Sequence, residues 1–149
     1  MKIITSLIIP VSCILMLVMV TGCMTATANA SLPHIADPEN AIKIWIDAVN
    51  ARDYPKLYAL SPEYIRQGIT MKNFIKAQDG NPMMATGSQI VDYQVLDRKT
   101  GSDNATFTVQ LILQISGSGA NATVSNIPVY LKFTEFFEQG NWHVWTDAP

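Results

Sequence analysis

Ala105, Phe107, Val109, Leu111, Leu113 and Ile115 occupy every second position of one uninterrupted stretch. Thr106, Thr108, Gln110 and Gln114 fill most of the places between them. Successive side chains of an extended chain point to opposite sides, so this spacing predicts a long strand with one apolar and one polar face. An apolar strip of that length needs a covering layer. Alternating stretches flank it on both sides. Before it, Val91, Tyr93 and Val95 are expected on one face, with Ile90, Asp92 and Leu96 on the other. After it, Ile127, Val129, Leu131 and Phe133 keep one face, and Glu135 then breaks the pattern beside the adjacent Phe136 and Phe137. A bulge or bend near Thr134 would reconcile that run with a single strand. Pro128 cannot donate a ladder hydrogen bond and belongs at an edge or a bulge. Gln139-Gly140-Asn141 is a tight turn, so the final strand, Trp142 to Thr146, is expected antiparallel to its predecessor. The Gly- and Ser-rich stretch from Ser116 to Asn121 lies between two strands with no helix behind it, which makes it a turn and not a phosphate cradle.

The covering layer is legible upstream. Asp37-Pro38-Glu39 starts a helix: Asp accepts backbone N–H bonds at the cap, Pro suits the first turn, and Glu complements the positive end of the dipole. Ala41, Ile42, Trp45, Ala48 and Val49 follow at helical spacing, with Trp45 expected as a core anchor. Asp53-Tyr54-Pro55, Ser61-Pro62-Glu63 and Thr70-Met71 start three shorter helices, and Asn81-Pro82 ends the helical half. Met83 and Met84 follow, suited to filling an irregular gap or lining an adaptable pocket mouth. Helices first, then long strands joined by short turns, is an α+β layout: N-terminal helices on a curved antiparallel sheet of about four strands.

The N-terminal end carries a different signal. Lys2 is the only charge before Cys23, and an apolar run extends from Ile3 to Val20. A basic start, an apolar middle and small residues at the end form the anatomy of a secretory signal. Val20-Thr21-Gly22-Cys23 resembles the lipobox of prokaryotic lipoproteins, in which the peptidase cuts before the Cys and the thiol is acylated. That resemblance implies a signal peptide over residues 1–22, a lipid on Cys23, a flexible tether over 23–36 and a domain over 37–149. The other reading is an uncleaved N-terminal helix, since about 20 apolar residues span a bilayer. Either way the domain is expected at the cell membrane, facing the extracytoplasmic side. Cys13 and Cys23 are the only cysteines, so the domain itself has no thiol for a disulfide, a zinc cluster or a nucleophile.

From Cys23 onward nine Lys and Arg stand against twelve Asp and Glu, a net charge of −3. No basic stripe is present, which argues against nucleic acid as a partner. No His or carboxylate cluster has metal spacing, and no Ser has the setting of a nucleophile. No cofactor is expected.

The whole resembles the cone-shaped nuclear-transport-factor-2-like superfamily, also described as cystatin-like. The residues that carry the resemblance run from Ala41 to Tyr54, from Leu57 to Tyr64, from Val129 to Phe133 and from Gly140 to Val144, where family members often close with a Trp-containing strand. The resemblance covers about Asp37 to Thr146 and is closest to small exported lipoproteins of that shape. It implies a pocket between helix and curved sheet, used for catalysis, ligand binding or dimer contacts. Enzymes of the superfamily place a base in an apolar pocket with its pKa moved toward the working pH by burial. His34 lies in the tether, so the only candidates for such a role are Asp92 and His143, both plainer as solvent-facing side chains. The reading that follows is a non-catalytic domain binding a small apolar ligand or an envelope protein. The alternatives are a pocket enzyme of the isomerase or hydrolyase type, and a structural module that forms a homodimer.

Overall fold

The computed structural model describes residues 32–117 and 123–147. Cys23, the apolar run before it and most of the expected tether lie outside the described residues. No described helix is long and apolar enough to cross a membrane. Among the described residues four helices precede four strands: α1 (Pro38–Ala51), α2 (Tyr54–Leu60), α3 (Glu63–Gly68) and α4 (Met71–Ala77), then β1 (Ser88–Thr100), β2 (Asn104–Ser116), β3 (Val124–Glu138) and β4 (Asn141–Thr146). A single 3-10 turn, Pro82–Met84, follows α4, so helical character continues one turn past the expected stop.

The caps act where the sequence places them. The Asp37 carboxylate accepts from the Glu39 N–H at 3.0 Å, and the Asp53 carboxylate accepts from the Lys56 N–H at 3.1 Å. Each cap satisfies one of the N–H groups that a helix start leaves without a partner. Arg52 ends α1 in the left-handed conformation, with φ 54°.

The strands form one antiparallel sheet in the order β1-β2-β3-β4. Ala105, Phe107, Val109, Leu111 and Leu113 of β2 are buried beneath the helices, as the alternation predicts. Helix α1 lies across this face through the buried Ala41, Ile42, Ile46 and Val49, and Trp45 meets Phe133 edge to face at 5.1 Å. This is the curved α+β arrangement expected from the sequence.

Two expectations about faces are corrected. In β1 the register shifts between Ile90 and Asp92 and again between Val95 and Asp97. Each shift inserts an extra residue and reverses which side the following residues face. The inward set is therefore Ile90, Tyr93, Val95 and Arg98, opposite Leu113, Leu111, Val109 and Phe107. Val91 and Leu96 are left exposed at the two bulges. In β3 there is no bulge: its pairing with β2 is continuous from Asn104↔Phe136 to Ser116↔Val124. Glu135 thus stays in phase with Leu131 and Phe133 and points inward. Pro128 pairs with Ile112 on one side only, because β4 accompanies β3 just from Phe133 to Glu138. The missing N–H therefore falls on an open edge.

The Gln139-Gly140 turn has φ 52° and 82° and joins β3 directly to an antiparallel β4. Trp142, His143 and Val144 are all buried, so β4 is covered on both faces. Val144 sits opposite Glu135 on the inner face; His143 sits opposite Phe136 on the outer one, where Tyr64 of α3 packs on the Phe136 ring at 5.8 Å. Helices α2 and α3 wrap over this edge of the sheet.

The folded domain reaches back past Asp37. Ile35 is fully buried, its N–H donates to Asn141 Oδ1 at 2.9 Å, and its carbonyl accepts from the Trp142 N–H at 3.2 Å. This shortens the expected tether at its C-terminal end.

Candidate functional site

The C-terminal half of α1, helices α2 and α4, the Pro82–Met84 turn and the end of β4 do not close completely. Between them lies a pocket of about 330 Å³, near the lower end of the roughly 300–1,000 Å³ usual for small-ligand sites. Apolar and polar groups share its walls, the apolar part coming from Trp45 and Val49 of α1, Leu57 of α2, Phe74 and Ala77 of α4, Met83 and Met84, and Val144 with Trp145 of β4. Several wall residues are placed by local rules. Trp45 and Val49 are four apart on one helix face. Asn81 caps the 3-10 turn by accepting from the Met83 N–H at 3.0 Å, and this presents both methionines inward. Phe74 is held by Tyr58 at 5.5 Å, and the Tyr58 hydroxyl donates to the carbonyls of Arg66 and Ile69 at 3.0 and 2.9 Å.

Trp45 is thus both a core anchor and part of a pocket wall, a second role that helical spacing does not reveal. The two methionines do line the pocket. The polar lining consists of Ser61, Gln78, Asp79, Asn81 and Thr146. Ser61 Oγ is committed to the Leu57 carbonyl at 3.0 Å, and Asn81 Nδ2 donates to Gln78 Oε1 at 3.1 Å. Among the described residues, no three His, Cys, Asp or Glu side chains converge as a metal centre requires.

Neither residue singled out from the sequence lines this pocket. Asp92 is exposed, its carboxylate accepting from the Tyr93 N–H at 2.8 Å. The first bulge in β1 separates its face from that of Ile90, so it points away from the helices. His143 is buried instead of solvent-facing, but on the outer side of β4 under α2. Burial and the nearby Arg66 guanidinium push its pKa below the usual imidazole range; Glu138 and the carbonyls of Leu60 and Ala59 act in the opposite direction. Asp92 and His143 therefore stand on different elements and share no site.

The most perturbed group is one that the alternation of β3 disguised. Glu135 is fully buried between Ala105 of β2 and Val144 of β4. Neither carboxylate oxygen has a hydrogen-bond partner. Burial, reinforced by the Asp37 carboxylate and only partly offset by Arg98, raises its pKa to about 9. Glu135 is neutral at pH 7. Arg98 does not reach it; its guanidinium lies 5.5 Å from the centre of the Phe107 ring and pairs with Glu39 of α1 at 3.4 Å. Glu135 is not a lining residue of the pocket; Val144 stands between. The signal in the sequence was its parity with Leu131 and Phe133.

No protein-family model matches the chain, and no curated protein does. Solved structures are similar. The solution structure of a SEC-C-motif-containing protein from Rhodopseudomonas palustris aligns with a TM-score of 0.55 at 13% identity, over 76% of this chain and 80% of that one. The crystal structure of a candidate dehydratase of the NTF2-like family from Streptomyces avermitilis aligns with a TM-score of 0.46 at 9% identity, over 73% of this chain and 94% of that one. At 13% identity the likeness to the first of these is one of fold alone.

Proposed function

We propose that the chain is an extracytoplasmic lipoprotein, held at the membrane by an acylated Cys23, whose domain binds a small apolar ligand without transforming it. The observation that carries the binding reading is the pocket's wall. Nine apolar residues from five elements line it beside five polar ones, and the buried ionisable residues Glu135 and His143 are not among its lining. General acid or base chemistry needs a titratable group within hydrogen-bond reach of the reacting atoms, and the lining offers only Asp79, which is exposed. The lipobox-like Val20-Thr21-Gly22-Cys23 supports the anchoring reading.

Native mass spectrometry of protein purified from its own host tests the binding. A retained small apolar molecule is expected, and its loss in Met84→Trp, which fills the pocket, assigns it there. A co-purifying envelope protein or a second copy, with no small molecule, would favour the interaction module instead. For the anchor, mass spectrometry of the membrane fraction should find acylated Cys23 at the N-terminus, with the lipid lost in Cys23→Ser. A chain retaining Met1 would defeat the lipoprotein reading.

A pocket enzyme is the second reading, and Glu135 alone favours it: a protonated carboxyl directly behind the Val144 wall. Conversion of the retained ligand that disappears in Glu135→Gln, with affinity unchanged, would put this reading first.

A further inference from the structure

The pocket has apolar and polar lining, and its electrostatics are one-sided. Of the residues lining it, Asp79 alone carries a charge. Asp79 is exposed at the end of α4, and neither of the two ion pairs found among the described residues involves it. Lys72 and Lys76 of α4 are exposed and form no part of the lining. The rim formed by Ala77, Gln78 and Asp79 is also the C-terminal end of α4, where the helix dipole is negative.

Beneath this rim are aromatic faces. Trp45 of α1 is half-buried and lines the pocket together with Phe74 of α4, whereas Trp145, opposite Thr134 on the outer side of β4, borders it from the strand end. An indole face attracts a cation through its quadrupole, most strongly where water is excluded. A free carboxylate at the mouth and the Trp45 indole in the wall therefore favour the same sign of ligand charge. An anion would meet the Asp79 carboxylate and, among the lining, no cationic side chain.

Resting on the reading of the pocket as a ligand site, we infer that its ligand is a small organic cation: a primary, secondary or quaternary amine on a compact apolar body, its ammonium at Asp79 and its body against Trp45, Phe74 and Met84. The volume of about 330 Å³ suits a compact molecule better than a long acyl chain.

Three probes of one shape separate charge from apolarity: 3-phenylpropylammonium, 3-phenylpropan-1-ol and 3-phenylpropanoate. Each is titrated at low ionic strength into the full chain, with quenching of tryptophan fluorescence as the readout. The ammonium is expected to bind about tenfold tighter than the alcohol, the combined effect of one rim ion pair and one cation–π contact. The carboxylate is expected to bind most weakly. Raising the salt should narrow the gap. Asp79→Asn, at an exposed rim position, should bring the ammonium to within about threefold of the alcohol when both are titrated into the same variant. Equal affinities for ammonium and alcohol in the wild-type chain would overturn the inference and leave the apolar pocket standing. Absence of binding by all three would overturn the pocket reading itself, and the inference with it.

Discussion

Glu135 offers the sharpest test of the interior. Its carboxyl is fully buried, both oxygens lack partners, and its pKa is raised from 4.5 to about 9. Between those two values the folded chain keeps a proton that the unfolded chain releases. The unfolded state then binds fewer protons than the folded one, so stability falls as pH rises. At about 1.4 kcal/mol per pH step, the loss between pH 4.5 and pH 7 is about 3 kcal/mol. It continues to about 6 kcal/mol as the pH reaches that of the folded carboxyl. Glu135→Gln keeps the shape and removes the titration. In urea unfolding at pH 4.5, 7 and 9, the stability of the variant minus that of the wild type should start near zero and grow by those amounts. Glu135→Met also removes the unpaired polar atoms, which adds about 1–3 kcal/mol at every pH. A Glu135→Gln difference that stays flat with pH would refute the reasoning: the carboxyl would then be solvated or paired, not sealed beneath α1.

Other positions have equally definite outcomes. The Asn50 side chain acts as a missing neighbour for the edge strand β1, with Nδ2 donating to the Ile90 carbonyl at 2.9 Å and Oδ1 accepting from the Ile90 N–H at 2.8 Å; Asn50→Ala should cost about 2 kcal/mol in denaturant unfolding. A Cβ at Gly87 would stand 2.8 Å from the Ser116 carbonyl oxygen, at φ +85°; Gly87→Ala should cost about 2–3 kcal/mol and lower the melting temperature by roughly 10 °C. The lowered pKa of His143 acts opposite to Glu135: below the ordinary value of 6.5 the unfolded chain takes up a proton that the buried ring resists, so stability declines toward acid. In His143→Gln the decline on the acid side should be shallower, read from the slope of stability against pH between 6.5 and 5.

Much of the architecture is written locally. Asp37, Asp53 and Thr70 cap helices because a short side-chain oxygen reaches a free N–H two or three residues on, a geometry that depends on neighbours in the chain alone. The β2 alternation survives intact because that strand is paired on both sides in continuous register with β3 and with few interruptions from β1. The β3–β4 hairpin follows from a two-residue turn with positive φ at Gln139 and Gly140. These determine helices, strands and the layer order.

What only the tertiary structure decided is which way the exceptions face. One extra residue at each β1 bulge reverses every side chain after it, so Asp92 faces outward although plain alternation groups it with the buried Ile90. Glu135 looked like the end of an apolar pattern, yet the unbroken β2–β3 register carries it into the core. His143 is buried by helices from 77 to 84 residues earlier in the chain, the distance back to Arg66 and Ala59. The pocket is a gap among α1, α2, α4, the Pro82–Met84 turn and β4, and a gap has no signature in any one segment. Local spacing specifies which residues can be apolar walls; only the packing of separate elements decides that Trp45, Phe74 and Met84 leave space between them, and that the one charge at its mouth is Asp79.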